Sequence, residues 1–144
     1  MRAILIVALI LIGAAPLSAA PPEEAAEVTA HLEFFGYEVT PTDEVLRAVH
    51  ASNLNIAVKA HRGGMLLLSF LGSKTPAEEN RAQLLEFAND LNVNASVSRS
   101  YIDKDGDLAL EAWFPGTYDK TRFSLFLEEW HRDTIMQRMF QDRI

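Results

Sequence analysis

The sequence contains no cysteine. Disulfide staples, thiol catalysis and a lipid anchor on an N-terminal cysteine are therefore all excluded. Positive charge is also scarce, with 13 Lys and Arg against 20 Asp and Glu, for a formal charge of -7. That balance argues against nucleic acid, whose phosphates reward net positive charge, and against adhesion to anionic lipid. No H-E-x-x-H pair, no G-x-S-x-G elbow and no phosphate-cradling glycine loop occurs. The histidines His31, His50, His61 and His131 fall at no ligand spacing and read as surface or boundary side chains. Glu128-x-x-His131 is half of a di-iron pattern that has no second half. The sequence thus offers no catalytic residue, no metal ligand and no cofactor motif.

What is present begins with an address. Arg2 is followed by an unbroken apolar run from Ala3 to Ile12, then by Pro16 and Ser18-Ala19-Ala20. The run is shorter than the ~20 residues a helix needs to cross a bilayer. This is the layout of a secretory signal peptide, with cleavage after Ala19 or Ala20, and an uncleaved anchor is the alternative. The expectation is a leader over residues 1–20 and a single domain over 21–144, periplasmic or secreted and off the membrane after cleavage. Loss of Arg2 leaves 12 basic against 20 acidic residues, a charge of about -8. A chain of this length can bury most of its apolar surface without disulfides.

Periodicity divides the domain. Pro21 to Gly36 reads as a helix: Pro22 suits its first turn, Glu23, Glu24 and Glu27 favour its dipole, and Gly36 stops it. Pro41-Thr42-Asp43 reads as a turn. Val45 to Ala51 reads as a strand, and Leu54 to His61 alternates with period two. Gly63-Gly64 marks a hairpin, and Met65 to Leu71 is apolar enough for a central strand covered on both faces. Thr75-Pro76-Ala77-Glu78 is a capping box opening a second helix with Leu84, Leu85, Ala88 and Leu91 as its stripe. Ala95 to Ile102 and Leu108 to Phe114 alternate around Asp105-Gly106. A third helix follows Asp119, with Phe123, Phe126, Leu127 and Trp130. The order α-β-β-β-α-β-β-α predicts an α+β domain, with an antiparallel sheet of about five strands and the helices packed on one face.

Tyr101 to Glu111 admits two readings. Asp103, Asp105 and Asp107 resemble an acidic calcium loop. An EF-hand, however, needs glycine at its sixth position and a bidentate Glu at its twelfth, where Leu108 and Phe114 stand. A hairpin with a two-residue turn at Asp105 and Gly106 accounts for more. That turn pairs Tyr101 with Leu110, Arg99 with Ala112 and Val97 with Phe114 on the core face. Arg99 then points at the core and needs a carboxylate that the sequence does not identify.

Two stretches are candidate protein-binding surfaces. Trp113 falls on the outer sheet face, where tryptophan is favoured at recognition sites unless the last helix or a loop covers it. Ile135, Met136, Met139 and Phe140 extend the third helix past Trp130, either as core packing or as a dimer or partner strip.

The segments Leu32-Glu33-Phe34-Phe35-Gly36-Tyr37, Leu85-Glu86-Phe87-Ala88-Asn89 and Tyr101 to Glu111 resemble the YbjN-domain family, bacterial proteins also described as sensory transduction regulators. That family is similar in fold to class I type III secretion chaperones. The resemblance implies a non-enzymatic protein-interaction module, chaperone-like or regulatory, that forms a homodimer and binds extended segments of an unknown protein partner. It carries over no active-site residues. The alternative is a small-ligand or ion-binding sensor using Asp103, Asp105 and Asp107.

Overall fold

The computed structural model describes residues 22–71 and 77–141, with side chains over 22–71 and 81–135. The expected leader and the cap residues Thr75 and Pro76 lie outside the described residues. The elements run α1 (Ala25–Phe34), β1 (Glu38–Pro41), β2 (Leu46–Val49), β3 (Ile56–His61), β4 (Gly64–Leu71), α2 (Ala77–Asn94), β5 (Arg99–Ile102), β6 (Leu108–Pro115) and α3 (Lys120–Gln141). The fold is α+β, and the expected order holds with one strand added at the front. All pairings are antiparallel, and the six strands lie in the order β1-β2-β3-β4-β6-β5. β4 is central, as its composition predicts.

The added strand, β1, has only four residues, most of them exposed, and ends at Pro41. It is too short and too polar to show a period. Tertiary contacts create it. Gly36 at φ +87° turns the chain out of α1, and buried Tyr37 anchors the entry. Beyond the strand, the Thr42 hydroxyl accepts the Val45 N–H at 3.1 Å and closes the turn into β2.

One face of the sheet meets the helices. Leu46 and Ala48, Ile56 and Val58, Met65 and Leu67, and Leu108, Leu110, Ala112 and Phe114 form this face. They join one buried cluster with Val28 and Leu32 of α1, Phe87, Ala88 and Leu91 of α2, and Phe123, Leu127 and Trp130 of α3. A helix supplies such a stripe when apolar residues recur three or four apart, as these do.

Both hairpins differ from their expected turns by one residue. Arg62 and Gly63, at φ +48° and +70°, form the β3–β4 turn, with both central residues left-handed as a type I′ turn requires. Gly64 already belongs to β4 and pairs with Pro115. At the second hairpin only Gly106 has positive φ, at +89°. The Gly106 N–H donates to the Asp103 carbonyl at 3.2 Å, and the Asp103 N–H donates to the Asp107 carbonyl at 2.9 Å. The loop is therefore Lys104-Asp105-Gly106, a three-residue connection ending in a glycine bulge. Asp103 Oδ1 fixes it by accepting the Asp105 and Asp107 N–H groups at 2.9 and 3.0 Å.

The extra loop residue slips the register by one, which moves every β5 side chain to the other face. Tyr101 pairs with Ala109 and Arg99 with Glu111, correcting the expected Tyr101–Leu110 and Arg99–Ala112 pairs. β5 also starts at Arg99 rather than Ala95. The N–H groups of Ser96, Val97 and Ser98 donate to the buried Asp133 carboxylate on α3 at 2.8, 3.0 and 2.9 Å, instead of to a strand.

Candidate interaction face

The sequence led to the expectation that β4 is covered on both sides, whereas among the described residues no element covers the second face of the sheet. Cross-strand register sets its side chains in rows. Arg47, Ala57, Leu68, Glu111 and Arg99 form one row from β2 to β5. Lys59, Leu66 and Trp113 form a second. Phe70, Ala109 and Tyr101 form a third. An antiparallel sheet with one solvated face normally alternates apolar inward and polar outward. β4 does not: Met65 and Leu67 enter the core while Leu66, Leu68 and Phe70 line the outside. Phe70 is 55% exposed and Trp113 48%, and Val49 and Tyr101 are exposed beside them.

Trp113, singled out from the sequence, therefore lies on this face and is not covered by the last helix. Its indole N–H donates to the His61 carbonyl at 3.2 Å, so the ring is held in place while one side meets solvent. Beside it Trp113, Leu66, His61, Arg62, Ser98 and Arg99 border a cavity of about 380 Å³. Across β4 a shallower groove of about 560 Å³ runs over Arg47, Ala57, Lys59, Leu68 and Phe70. Arg99 has found its carboxylate. Its guanidinium forms an ion pair with Glu111 on this face, with Nε donating to Oε1 at 2.7 Å. The Tyr101 hydroxyl donates to the other Glu111 oxygen at 3.0 Å. Burial and that carboxylate raise the Tyr101 pKa above its ordinary value, so the phenol stays a donor.

Phe70, Leu68 and Arg62 were not singled out from the sequence. The signal was the stretch Met65 to Leu71, interrupted only by Ser69, whose apolar residues fall in both phases of a period-two pattern.

The other candidate residues are dispersed. Ile135 is 56% exposed on α3. The side chains of Met136, Met139 and Phe140 lie outside the described residues. Asp105 and Gly106 shape the hairpin as expected, though within the longer loop. Of the acidic trio there, Asp103 is committed to backbone N–H groups and Asp105 to Lys104 Nζ, at 2.9 and 2.8 Å. Among the described residues no three acidic, histidine or cysteine groups gather as a metal site.

His31 departs from its expected surface position, with only 5% of it exposed. Its Nδ1 shares a hydrogen bond with the Tyr118 hydroxyl at 2.7 Å and its Nε2 one with the Ser124 hydroxyl at 3.1 Å, while its ring stacks on Phe35. A cavity of about 470 Å³ lies alongside, bordered by Glu27, Phe34, Tyr118 and Lys120. Burial, then the nearby Lys120 charge, lowers the His31 pKa from 6.5. The unfolded chain thus binds this proton more readily than the folded one. The stability His31 contributes is complete above pH ~6.5 and declines as pH falls below it. Thermal midpoints measured from pH 7.5 down to 5 should fall less steeply in His31→Gln than in wild type. Equal slopes, or an NMR titration midpoint for His31 at or above 6.5, would contradict this.

No protein-family model matches the sequence, and no curated protein matches it. Solved structures do match the fold. YbjN from E. coli, described as a proposed transcription regulator, superposes with a TM-score of 0.61 at 9% identity, over 81% of this chain and 92% of that one. A chain of the heterodimeric ExoU–SpcU complex, from the type III secretion system of Pseudomonas aeruginosa, gives 0.50 at 19% identity, over 76% and 93%. The architecture is therefore YbjN-like and secretion-chaperone-like, as the sequence resemblance implies.

Proposed function

We propose that this chain is an exported, non-enzymatic protein-interaction module that presents the open face of its sheet to a segment of another protein. The observation that carries the reading is the apolar strip of Leu68, Phe70, Tyr101 and Trp113, bedded on the buried Leu66, on a face that no described helix covers. Solvated apolar patches with polar rims mark binding surfaces, and tryptophan and tyrosine concentrate at their centres. The heterodimeric complex formed by one fold neighbour is consistent with a protein partner.

Partner addition to a sheet edge is the weaker route. At the β5 edge the Asn92 side chain accepts the Ser100 N–H at 2.7 Å and donates to the Ser100 carbonyl at 2.9 Å, occupying the groups an added strand needs. The opposite edge, β1, ends in Pro41 and is only four residues long. The face, not the edge, is the surface on offer.

Replacing Phe70 and Trp113 together by serine tests the reading. Both side chains are about half exposed, so the variant is expected to keep its thermal midpoint within a few degrees. It should lose the proteins that immobilised wild type retains from a periplasmic extract. Identical retention by the two forms would sink the proposal. Mass spectrometry of the exported protein checks cleavage after Ala19 or Ala20, and light scattering checks for the expected homodimer.

A further inference from the structure

The open face carries a pattern in charge as well as in hydrophobicity. Arg47 on β2 and Lys59 on β3 stand to one side of the Leu66-Leu68-Phe70 line. Arg62 sits at its end in the hairpin turn, and Arg99 lies on the far side on β5. Among the described residues Arg47, Lys59 and Arg62 make no ion pair. Glu111 is the carboxylate in the middle of the face, and Arg99 and Tyr101 already occupy it. Glu38 lies at the periphery on β1, Glu44 borders the groove beside Arg47, and Asp103 stands near Tyr101, already accepting the Asp105 and Asp107 N–H groups. In a chain of formal charge -7, three cations without an ion pair beside an apolar strip stand against the overall sign.

We infer that the partner is an acidic amphipathic segment of another protein, apolar along one side and carboxylate-bearing along its flanks; the inference rests on the interaction reading above. Neighbouring strands are ~4.8 Å apart, so Arg47 and Arg99 each stand ~10 Å from the β4 line. A helix ~10–12 Å across, laid along β4, fits between them with its apolar stripe on Leu68, Phe70 and the Trp113 ring. Its flanking carboxylates would reach Arg47 and Lys59 on one side, Arg99 on the other and Arg62 at the end of the line. The geometry disfavours a second copy in this seat. A two-fold pairing of identical faces would set the Arg47, Lys59 and Arg62 cations of one copy against the same cationic face of the other, with Glu111 already paired to Arg99. A membrane or nucleic acid presents negative charge far beyond the strip, where the rest of the chain is acidic.

Panning a phage-displayed random-peptide library on the whole protein tests the inference. The expected peptides are rich in Asp and Glu together with Leu, Phe or Trp, and they shift Trp113 fluorescence. Their affinity should fall about tenfold or more in Arg47→Glu/Lys59→Glu, and with added salt. Panning on that charge-reversed variant should recover Lys- and Arg-bearing peptides instead. Neutral or basic peptides that bind wild type and require Phe70 and Trp113 would overturn the charge inference and leave the interaction face standing. If no recovered peptide depends on Phe70 and Trp113, both fail. Tighter binding to phosphatidylglycerol vesicles than to the acidic peptides would also overturn the inference, in favour of a lipid surface.

Discussion

Replacing Asp133 with alanine is expected to lower stability by about 3 kcal/mol, a drop of roughly 10 °C in thermal midpoint. The Asp133 carboxylate is 5% exposed and accepts three consecutive backbone N–H groups, from Ser96, Val97 and Ser98. A hydrogen bond to a charged group contributes about 1.5–3 kcal/mol, so the three would total more if all were sealed from water. They are not. Ser96 is exposed and Val97 and Ser98 are half-buried, so solvent replaces part of the loss. Asn is expected to rescue little. It keeps one acceptor oxygen but turns an NH₂ donor toward N–H groups that also donate. Calorimetry on both variants, with hydrogen exchange of residues 96–98, checks the expectation. A loss below about 1 kcal/mol, or unchanged exchange at those three amides, would show that the loop holds itself.

Gly64→Ala is expected to cost a similar ~3 kcal/mol, for a steric reason. A Cβ at Gly64 would collide with the Phe114 carbonyl oxygen and lie 3.0 Å from the Gly116 N and 3.1 Å from the Pro115 Cα. Every atom in its way is backbone, and β4 and β6 are paired along their whole length, so neither can give way cheaply. Its neighbour supplies the control. A Cβ at Gly63 meets nothing within 4 Å, but the residue sits at φ +70°. Gly63→Ala should therefore cost only about 1 kcal/mol, and Gly63→Asn less, because Asn tolerates the left-handed region. Chemical denaturation of the three variants separates the two causes. Comparable losses for Gly64→Ala and Gly63→Ala would make the cost conformational rather than steric.

These two glycines show how far local sequence can be read. Gly63-Gly64 marked the hairpin, but which of its residues turned was decided elsewhere. Arg62 takes the left-handed position, because the close approach of β6 requires the bare Cα of Gly64 inside the strand. Asp105-Gly106 marked the second hairpin, yet Asp103 added a residue to the loop by capturing the Asp105 and Asp107 amides. That one residue placed Arg99 and Tyr101 outside rather than in the core. The site depends on this shift, since both residues then meet Glu111 on the open face.

What the sequence determined alone was carried by near neighbours: three helices, the alternating strands, the α+β order and the outer-face placement of Trp113. Each follows from a period or a turn preference expressed within a few residues of backbone. What only the tertiary structure decided depends on contacts across long separations. Asp133 cuts β5 short from more than thirty residues away. β1 exists because β2 is there to pair with it. The apolar run of β4 marks both faces as buried, and the described helices cover only the side on which their own stripes meet, so Phe70 and Trp113 are left exposed on the other.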